Sequence, residues 1–315
     1  MENMKFNRRE FLAALSLSTG YLMFTNPLLA QKGIVTSTDP FQMVKLGSSG
    51  LETTLLGMGT GVHGIRRSSN LTRQDWEKSL SVLRHAYDRG IRMFDCADTY
   101  GTHPLMAEAL QHMSREKVTV ISKIWVRPGG GLPEAERPDA DVVVKRFLKE
   151  LKTDYIDLVQ LHCMVDADWT TRYARQMELM EDLKAKGIIR AHGCSVHTTE
   201  AMKAGLASDW VDVMHVRINP YGIAMDQPEP ADVVKVIHEL HNSGKGLIGM
   251  KLVGDGQYTN DSKKINNALR FVLGLNSVNM IIVGFETSDL IDNYVMRMQG
   301  VLSELSSQTV SGTVS

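Results

Sequence analysis

The sequence predicts an α/β fold, a closed (β/α)8 TIM barrel, on three observations. Short apolar or β-branched runs alternate with helical stretches after residue 40, each kind occurs eight times, and no long linker interrupts the series. At 315 residues the chain fits one such barrel, and 43% hydrophobic residues are ample for its core. We therefore expect a single barrel domain over residues 43–305, followed by a serine-rich tail over 306–315.

The predicted strands are all short and apolar or β-branched. In chain order they are TTLLGMG near residue 55 and residues 91–95, 118–123, 155–162, 189–195, 211–219, 246–251 and 278–284. The predicted helices carry apolar residues at spacings of three and four, over residues 74–89, 104–113, 140–151, 172–186, 199–207, 230–243, 262–274 and 288–302. Before the first strand, MVKLGSSGLETTLL is typical of a small hairpin, which would close the bottom of the barrel.

An open doubly wound sheet would show the same alternation of strands and helices. Such a sheet normally has a glycine-rich phosphate-binding turn that leads from its first strand directly into a helix. GMGTGVHG at residues 57–64 follows the first strand here, but no helix begins directly after it. The glycine cluster therefore favours the barrel over the open sheet.

The N-terminus differs in kind from the rest of the chain. Arg8 and Arg9 stand directly before an uncharged stretch from Phe11 to Phe24, which is the layout of an export signal, although a short amphipathic helix is an alternative. NRREFL resembles a twin-arginine signal, whose machinery exports folded proteins. The apolar stretch is shorter than the roughly 20 residues that span a bilayer, so we expect no stable membrane insertion of the mature chain.

We accordingly predict an export signal over residues 1–30, with cleavage near Ala30, and a linker over 31–42. The mature protein would be periplasmic, or cytoplasmic if the signal is not functional. The formal net charge is -1, with lysine and arginine spread along the chain, which excludes the electrostatic footprint of a nucleic-acid-binding protein.

Three cysteines, Cys96, Cys163 and Cys194, have neither metal-ligand spacing nor an even count for disulfides, and no metal site is predicted. Each adjoins a polar residue at the end of a strand. Because side chains alternate between the two faces of a strand, the cysteines should point outward against the helices as small buried hydrophobes.

Four different polar residues follow three consecutive predicted strands. Asp95 ends the second strand, Tyr100 lies in the loop after it, Lys123 ends the third strand and His162 ends the fourth. The carboxyl ends of barrel strands carry the chemistry in this architecture. A buried lysine or aspartate alone is costly, so Asp95 and Lys123 are expected to pair. His162 taken singly is typical of a hydrogen-bonded core histidine, but the four together predict a proton-handling site.

A tyrosine has a reference pKa of about 10 and donates a proton poorly near neutral pH unless its phenolate is stabilised. A neighbouring ammonium supplies that stabilisation, and an imidazole can share the proton or orient a carbonyl group. The predicted site therefore suits proton transfer to a carbonyl oxygen.

The segments GIRMFDCADTYG, VISKIW and YIDLVQLH resemble the aldo-keto reductase family, the first through an Asp-x-Ala-x-x-Tyr signature. The resemblance extends from Met43 to Asn293. It implies NAD(P)H-dependent interconversion of an aldehyde or ketone and its alcohol. Tyr100 would then be the general acid, Lys123 would lower its pKa, Asp95 would pair with Lys123, and His162 would orient the substrate carbonyl.

The same resemblance implies a set of nicotinamide-nucleotide contacts. Ser195 in AHGCSVH and Asn219 in VRINPYG would hold the carboxamide, whereas Val196 replaces an asparagine that many relatives have. The segment MKLVGDG resembles the loop that covers the pyrophosphate, although an ordinary strand-to-helix loop is an alternative. Its candidate contacts are Lys251, Leu252, Gly254 and Gly256.

The last strand and the helix after it, IIVGFETSDLIDN, depart from the family pattern. The family usually has a lysine or arginine here that binds the 2'-phosphate of NADP, whereas this chain has Glu286 and Asp289. Two carboxylates repel a phosphate but accept hydrogen bonds from a ribose diol. Asn293 still matches an adenine-contacting position. We therefore expect a preference that leans to NAD, against the family habit of NADP.

The substrate pocket is less clearly predicted. Trp125 is expected in its wall, or equally as an aromatic that packs on a helix, with His63, His103 and Tyr221 as possible neighbours. RPGGGLPEAERPD at 127–139 is predicted to be a rim loop, because its glycines do not lead straight into a helix. The long specificity loop of some relatives has no counterpart after Asn293, so an open pocket is expected.

Two other functional classes stay open from the sequence. A barrel aldolase could use Lys123 or Lys251 as a Schiff-base nucleophile. A non-catalytic nucleotide sensor would keep Ser195 and Asn219 but would not need the complete proton-handling site. Export also conflicts with recycling of a free cofactor, and we expect that cofactor to be loaded before export and retained.

Overall fold

The structure, a computed structural model, describes residues 37–311. The predicted export signal over 1–30 lies outside the described residues, as does the linker up to residue 36. Among the described residues, no helix has the length and apolar character needed to cross a bilayer.

Eight strands form a closed barrel in which every neighbouring pair is parallel. They are β3 (Leu56–Gly59), β4 (Met93–Asp95), β5 (Thr119–Ile124), β6 (Ile156–Met164), β7 (Ile189–Val196), β8 (Val213–Arg217), β9 (Gly246–Met250) and β10 (Met280–Gly284). Their order around the barrel follows the chain, and β10 closes it against β3. The predicted (β/α)8 barrel is confirmed.

Helices surround this barrel. They are α1 (Asn70–Arg73), α2 (Trp76–Arg89), α3 (His103–Leu110), α4 (Ala140–Leu151), α5 (Trp169–Arg172), α6 (Ala174–Ala185), α7 (Thr199–Leu206), α8 (Pro230–Asn242), α9 (Ser262–Gly274) and α10 (Ser288–Ser311). The one-turn helices α1 and α5 were not predicted, because four residues are too few for an apolar periodicity to show. Helix α10 is longer than predicted and extends into the serine-rich stretch.

The hairpin before the barrel has strands β1 (Met43–Lys45) and β2 (Glu52–Thr54), which pair antiparallel. Its turn packs against the segment just before β9, where the Ser48 N–H donates to the Gly244 carbonyl at 2.8 Å. A Cβ on Gly47 would lie 2.3 Å from that same carbonyl oxygen, so this turn requires glycine. Because β9 begins at Gly246, the hairpin closes the amino end of the barrel as predicted.

Helix α2 illustrates how local sequence positions the strands. The Asp75 side chain caps it by accepting the Lys78 N–H at 2.9 Å, and Gly90, at φ 121°, ends it. Its apolar face, including Leu80 and Leu83, is fully buried, and each such leucine contributes about 2 kcal/mol. The chain then turns directly into β4, which carries Asp95 to the opposite end of the barrel.

Strand β6 has an irregularity that the sequence did not reveal. Its pairing with β7 shifts between Leu161 and Met164, and Cys163 within the shift has φ 66°. A non-glycine residue in this left-handed region is uncommon and typical of a bulge beside a functional site. The bulge lets the strand continue past His162, where the prediction ended it.

The three cysteines are free thiols, but they differ in their surroundings. Cys96 and Cys194 are fully buried, as predicted, and burial raises the pKa of Cys96 to about 11. The prediction is wrong for Cys163, which is partly exposed. Its Sγ lies 3.1 Å from His197 Nδ1 and accepts from Arg127 Nη1 at 3.3 Å, because the bulge turns it toward the rim.

Candidate active site

A buried ion pair lies at the carboxyl ends of β4 and β5. Lys123 Nζ donates to the Asp95 carboxylate and, at 3.1 Å, to the Cys96 carbonyl. The two side chains are almost inaccessible, with exposed fractions of 2% for Lys123 and 4% for Asp95. Burial by itself would raise the pKa of Asp95, but Lys123 and His215 outweigh it and hold that pKa at about 2. The structure thus brings the two residues together as an ionised pair.

His215 is a neighbour of this pair that the sequence prediction missed. It is completely buried on β8, and its Nε2 lies 3.4 Å from Asp95 Oδ1. Burial lowers its pKa, and the Asp95 carboxylate opposes that effect. The signal was available, because His215 is an internal polar residue in an apolar strand and shares a face with Arg217 and Val213.

Tyr100 ends a 3-10 turn, Asp98–Tyr100, that two arginines hold in place. The Asp98 carboxylate accepts from Arg67 Nε at 2.9 Å and from Arg146 Nη2 at 2.6 Å, and its side chain is 2% exposed. Gly101, at φ 69°, then lets the chain leave the turn in the left-handed conformation. The general-acid candidate therefore sits on a rigid backbone segment.

The glycine cluster after β3 packs against the Tyr100 ring. A Cβ on Gly61 would lie 2.3 Å from the ring, and one on Gly64 would lie 2.4 Å from it. Both distances are far below any van der Waals contact, so only glycine lets the loop approach the ring. The cluster thus has a steric role in placing Tyr100.

Lys123 and Tyr100 lie on the same rim, with Lys123 Nζ 5.2 Å from the centroid of the Tyr100 ring. The predicted lowering of the Tyr100 pKa is nevertheless wrong for this arrangement. Burial raises the pKa of Tyr100 well above its ordinary value, and Asp95 and Cys163 raise it further. Burial of the ring is the largest of these effects, so the phenol remains protonated.

His162 joins Tyr100 to the predicted pocket wall. Its ring meets the Tyr100 ring edge-on at 5.6 Å between centroids and the Trp125 ring edge-on at 5.4 Å. Burial, followed by the charge of Lys123, lowers the pKa of His162 well below its ordinary value, so the imidazole is neutral. Trp125 is partly exposed and donates from Nε1 to the Gly129 carbonyl at 3.0 Å, which folds the rim loop over the indole.

His103 does not lie in the pocket, and its prediction as a pocket residue is wrong. It is buried at the start of α3, where its Nδ1 lies 2.7 Å from Glu150 and its Nε2 2.8 Å from Ser122 Oγ. Phe147 packs edge-on against its ring at 4.6 Å. Because Ser122 alternates with Lys123 along β5, this cluster lies on the outer face of the barrel.

The other two predicted neighbours of Trp125 lie toward the loop after β9. His63 is exposed and helps to lower the pKa of Asp255, so it stands near that loop. Tyr221 packs edge-on against Tyr258 at 5.2 Å. Within residues 37–311 neither has a ring contact with Trp125, so their assignment to the pocket wall stays a prediction.

The two residues predicted to contact the carboxamide are both buried, but they differ in how many of their hydrogen-bonding groups already have a partner. Ser195 Oγ accepts the Cys163 N–H at 2.8 Å, and within residues 37–311 its hydroxyl proton has no acceptor. Asn219 is fully engaged: it accepts from Tyr221 N–H at 3.0 Å and donates to the carbonyls of Ile223 at 2.7 Å and Lys251 at 3.2 Å. Asn219 braces its own loop here, so its contact with a carboxamide stays a prediction.

The loop after β9 has an unusual backbone. Lys251, Gly254, Asp255 and Gly256 have φ values of 62°, 59°, 58° and 93°. Left-handed residues close together turn peptide N–H groups toward one side, which is how backbone concavities bind anions. Leu252 is buried and its carbonyl accepts from the Tyr258 hydroxyl. The predicted pyrophosphate contact is compatible with this geometry.

The third turn of α10 carries a cation that the sequence prediction did not include. Arg297 donates from Nε to Asn293 Oδ1 at 2.6 Å and from Nη1 to Asn266 Oδ1 at 2.9 Å. Glu286 accepts from Asn70 Nδ2 at 2.7 Å, and Asp289 is exposed in the first turn. The charges of this region are therefore mixed.

A second cluster on the rim joins Lys251, a predicted cofactor contact, to residues that were not predicted. Arg127, Arg217 and Lys251 together depress the pKa of His197, which burial has already lowered, to about 3. Arg217 is paired with Asp226, with Nε 2.6 Å from the carboxylate. The three cations follow three different strands, so no local sequence pattern could indicate that they converge.

Comparison with known proteins gives concordant matches. A sequence model described as the Aldo/keto reductase family matches residues 55–271, more than half of the chain. The chain is 26% identical over 240 residues to "Probable aldo-keto reductase 1" of Glycine max, covering 71% of this chain and 65% of that protein. It is 31% identical over 158 residues to the uncharacterized oxidoreductase YqkF of Bacillus subtilis, covering 48% and 47%.

Among solved structures, an aldo-keto reductase from Klebsiella pneumoniae in complex with NADPH superposes with a TM-score of 0.59 at 19% identity. The superposition covers 82% of this chain and 89% of that one, and at this identity it shows the fold alone. The matched region spans 65% of the length of the Glycine max relative and 47% of the length of the Bacillus subtilis one.

Proposed function

The chain belongs to the aldo/keto reductase family, and on that premise we propose that it is an NAD(P)H-dependent oxidoreductase that interconverts an aldehyde or ketone and its alcohol. One observation supports the proposal above all others. Asp95, Tyr100, Lys123 and His162 come from three consecutive strand ends and meet at one rim of the barrel, with Tyr100 between the ammonium and the imidazole.

In the proposed reduction, Tyr100 protonates the carbonyl oxygen. Its raised pKa keeps the phenol protonated until negative charge develops on that oxygen. Lys123, 5.2 Å from the ring, then stabilises the phenolate that remains. His162, neutral and beside the same ring, hydrogen-bonds the carbonyl and orients it. Bound NAD(P)H supplies the hydride.

Ser195 and the loop after β9 fit a nicotinamide nucleotide. The unused hydroxyl proton of Ser195 can donate to the carboxamide oxygen, and the left-handed loop at 251–256 suits a pyrophosphate. Such contacts fix the ring face that is presented, which is what the protein adds to cofactor chemistry.

We further propose that the nucleotide preference leans to NAD. Asp289 is exposed in the first turn of α10, where a carboxylate disfavours a 2'-phosphate. Arg297 opposes this effect from about two helical turns away, so a small preference is expected. Fluorescence titrations with NADH and NADPH measure it, and a large NADPH advantage would refute it.

The experiment that tests the function replaces Tyr100 by phenylalanine. Turnover of a carbonyl panel, followed by the loss of nicotinamide absorbance, should fall about 100- to 10,000-fold because the general acid is lost. Nucleotide affinity should not change, since the phenol contacts the carbonyl oxygen. Retained turnover in Tyr100→Phe would exclude the mechanism, and absence of turnover in the unaltered protein would favour a nucleotide sensor.

The aldolase alternative requires a neutral amine nucleophile. Lys123 is bound to a carboxylate whose pKa is about 2, and Lys251 is paired with Asp255. In both arrangements the lysine nitrogen donates to a carboxylate, so it is held away from the role of a nucleophile in Schiff-base formation. Borohydride trapping of either lysine with a carbonyl compound would reverse this conclusion.

For the N-terminus we propose export by the twin-arginine machinery to the periplasm, with nucleotide bound before export. Arg8 and Arg9 before the uncharged stretch support it. Cell fractionation of the protein with both arginines changed to lysine should find it in the cytoplasm. Purification of an exported form without nucleotide would contradict the loading step.

A further inference from the structure

Arg127 is a cation on the rim whose charge the fold does not use. Its Nη1 donates to Cys163 Sγ at 3.3 Å, and its guanidinium lies 5.7 Å from the centroid of the Trp125 ring. Within residues 37–311, no carboxylate lies within 4.0 Å of it. The side chain is partly exposed, so a small molecule can reach it.

The other cations near Cys163 and His197 are each balanced by a carboxylate. Arg217 is paired with Asp226, and Lys251 is paired with Asp255. Arg127 therefore leaves an excess positive charge at the rim. A guanidinium has five N–H donors in a planar fork, which matches the oxygens of a carboxylate or phosphate.

Trp125 connects this charge to the proposed site of chemistry. The Arg127 guanidinium lies 5.7 Å and the His162 ring 5.4 Å from the same indole. His162 in turn meets Tyr100 at 5.6 Å. A compound that lies along Trp125 with its carbonyl at Tyr100 and His162 thus has its far end near Arg127.

A role for Arg127 in nucleotide binding fits the topology less well. Arg127 follows β5, whereas the loop proposed for the pyrophosphate follows β9. In the order of the closed barrel these strands lie four positions apart in either direction, so Arg127 and Lys251 enter the rim from opposite strands, and both act on His197. Arg127 belongs to the side of Trp125 and His162.

We propose that Arg127 binds an anionic group, a carboxylate or a phosphate, on the carbonyl substrate that Tyr100 and His162 receive. This inference rests on the proposed reductase function and narrows it to acidic aldehydes and ketones, with their alcohols as products. Arg127 is a specificity-determining residue in this scheme, because it holds the end of the substrate that does not react.

Two matched pairs of substrates test it and separate the two kinds of anion. The first pair is para-carboxybenzaldehyde and its neutral ester, methyl para-formylbenzoate; the second is glycolaldehyde phosphate and glycolaldehyde. We expect kcat/KM to favour the charged member of at least one pair by about 10-fold or more, as a charge-assisted hydrogen bond does. The pair that shows the preference identifies the anion.

The variants are Arg127→Gln and Arg127→Lys, with Arg66→Gln as the control that removes an exposed arginine from another rim loop. Arg127→Gln should lower kcat/KM for the charged member about 10- to 100-fold, mainly through KM, and leave the neutral member unchanged. Arg127→Lys should lose part of the preference for the charged member, because an ammonium lacks the planar set of N–H donors of a guanidinium. Arg66→Gln should keep the full preference.

A binding measurement keeps the inference testable without turnover. Calorimetry should detect tighter binding of para-carboxybenzyl alcohol, the product, than of its methyl ester, and Arg127→Gln should abolish the difference. The inference is overturned if the unaltered protein shows no preference in either pair and no difference in calorimetry. It is also overturned if Arg127→Gln weakens NADH and NADPH binding while the preference survives. Failure of the reductase function alone would show as absent turnover of charged and neutral compounds with selective binding retained.

Discussion

Two parts of the barrel rim, the ends of β4 to β6 and the loop after β9, differ in whether side chains or backbone groups form them. On the side proposed to bind the carbonyl, Asp95, Lys123 and His162 project from strand ends and are nearly inaccessible, and Lys123 neutralises Asp95. On the nucleotide side, the loop after β9 has successive left-handed residues, and Asn219 is bonded to backbone groups. The carbonyl side is thus formed by side chains that already contact one another, whereas the nucleotide side presents backbone groups.

This difference predicts where substitutions cost stability and where they change affinity. A buried charge is stable only with its partner, so a substitution on the carbonyl side should lower the free energy of unfolding. An exposed ion pair contributes little to stability, so a substitution on the nucleotide side should change mainly the affinity for the ligand. The predictions below test this contrast.

The largest effect is expected from Lys123→Met, which leaves Asp95 charged and buried. The free energy of unfolding should fall by about 3–5 kcal/mol, and turnover should be lost. Urea denaturation at neutral pH measures the first. The matched variant Lys251→Met on the nucleotide side breaks an exposed pair and should cost no more than about 1 kcal/mol. Equal losses in the two variants would contradict the contrast.

A double replacement sharpens this prediction. Asp95→Asn combined with Lys123→Met removes both charges, so much of the lost stability should return while turnover stays absent. If the double variant is as unstable as Lys123→Met alone, the unpaired carboxylate is not the cause.

Gly61→Ala is expected to have the next largest effect, on turnover. Its Cβ would lie 2.3 Å from the Tyr100 ring, which must then shift away from the carbonyl. A displacement of this size should lower kcat about 100-fold. Gly59→Ala is the control, because a Cβ there meets its nearest atom at an ordinary 3.7 Å. Steady-state kinetics of both variants should separate them, and similar kcat values would show that the ring tolerates the shift.

Acid should weaken the carbonyl side through Asp95. Its pKa is depressed in the folded protein from 3.8 to about 2, so its contribution is fully present above about pH 4 and disappears as the pH falls toward 2. The stability lost over this window should be on the order of 2 kcal/mol. Urea unfolding at several acidic pH values measures it, and the Asp95→Asn, Lys123→Met double variant should lack this component. A parallel pH profile in both proteins would assign the acid sensitivity elsewhere.

The smallest effect is expected on the nucleotide side. Asp289→Asn removes an exposed carboxylate at the start of α10, which should raise the affinity for NADPH relative to NADH about threefold. Titration with both nucleotides measures the ratio, and the affinity for NADH should change little. A larger ratio at high salt than at low salt would argue against an electrostatic cause.

The fold and the core of the candidate site could be predicted because both depend on local patterns. Alternating apolar runs and helical spacings indicate the barrel, and strand ends are visible as apolar runs that stop at a polar residue, as at Asp95, Lys123 and His162. His215 is also a polar residue in an apolar run, but it lies inside its strand and not at the end, so the strand-end pattern did not include it. It shares one face of β8 with Val213 and Arg217, which precedes Asn219 on the same face, and this indicated that it points into the barrel.

Other features could not be predicted, because they depend on which partner a side chain finds. His103 faces Glu150 and Ser122 because α3 docks against α4, and nothing near residue 103 specifies that contact. The pKa of Tyr100 depends mainly on how completely the ring is buried, which only coordinates reveal. Arg127 meets Cys163 through a bulge that leaves no trace in the sequence.

The loop that holds Tyr100 has an implication for how such proteins diverge. Gly61 and Gly64 touch the ring with backbone, while the Val62 side chain packs on Gly284 and His63 is exposed. If His63 lines the pocket as predicted, a substitution of this exposed side chain changes the pocket wall while the backbone of Gly61 and Gly64 still packs on the Tyr100 ring. The pocket wall and the placement of Tyr100 would then depend on different residues of one loop, so relatives can vary the first while they keep the second.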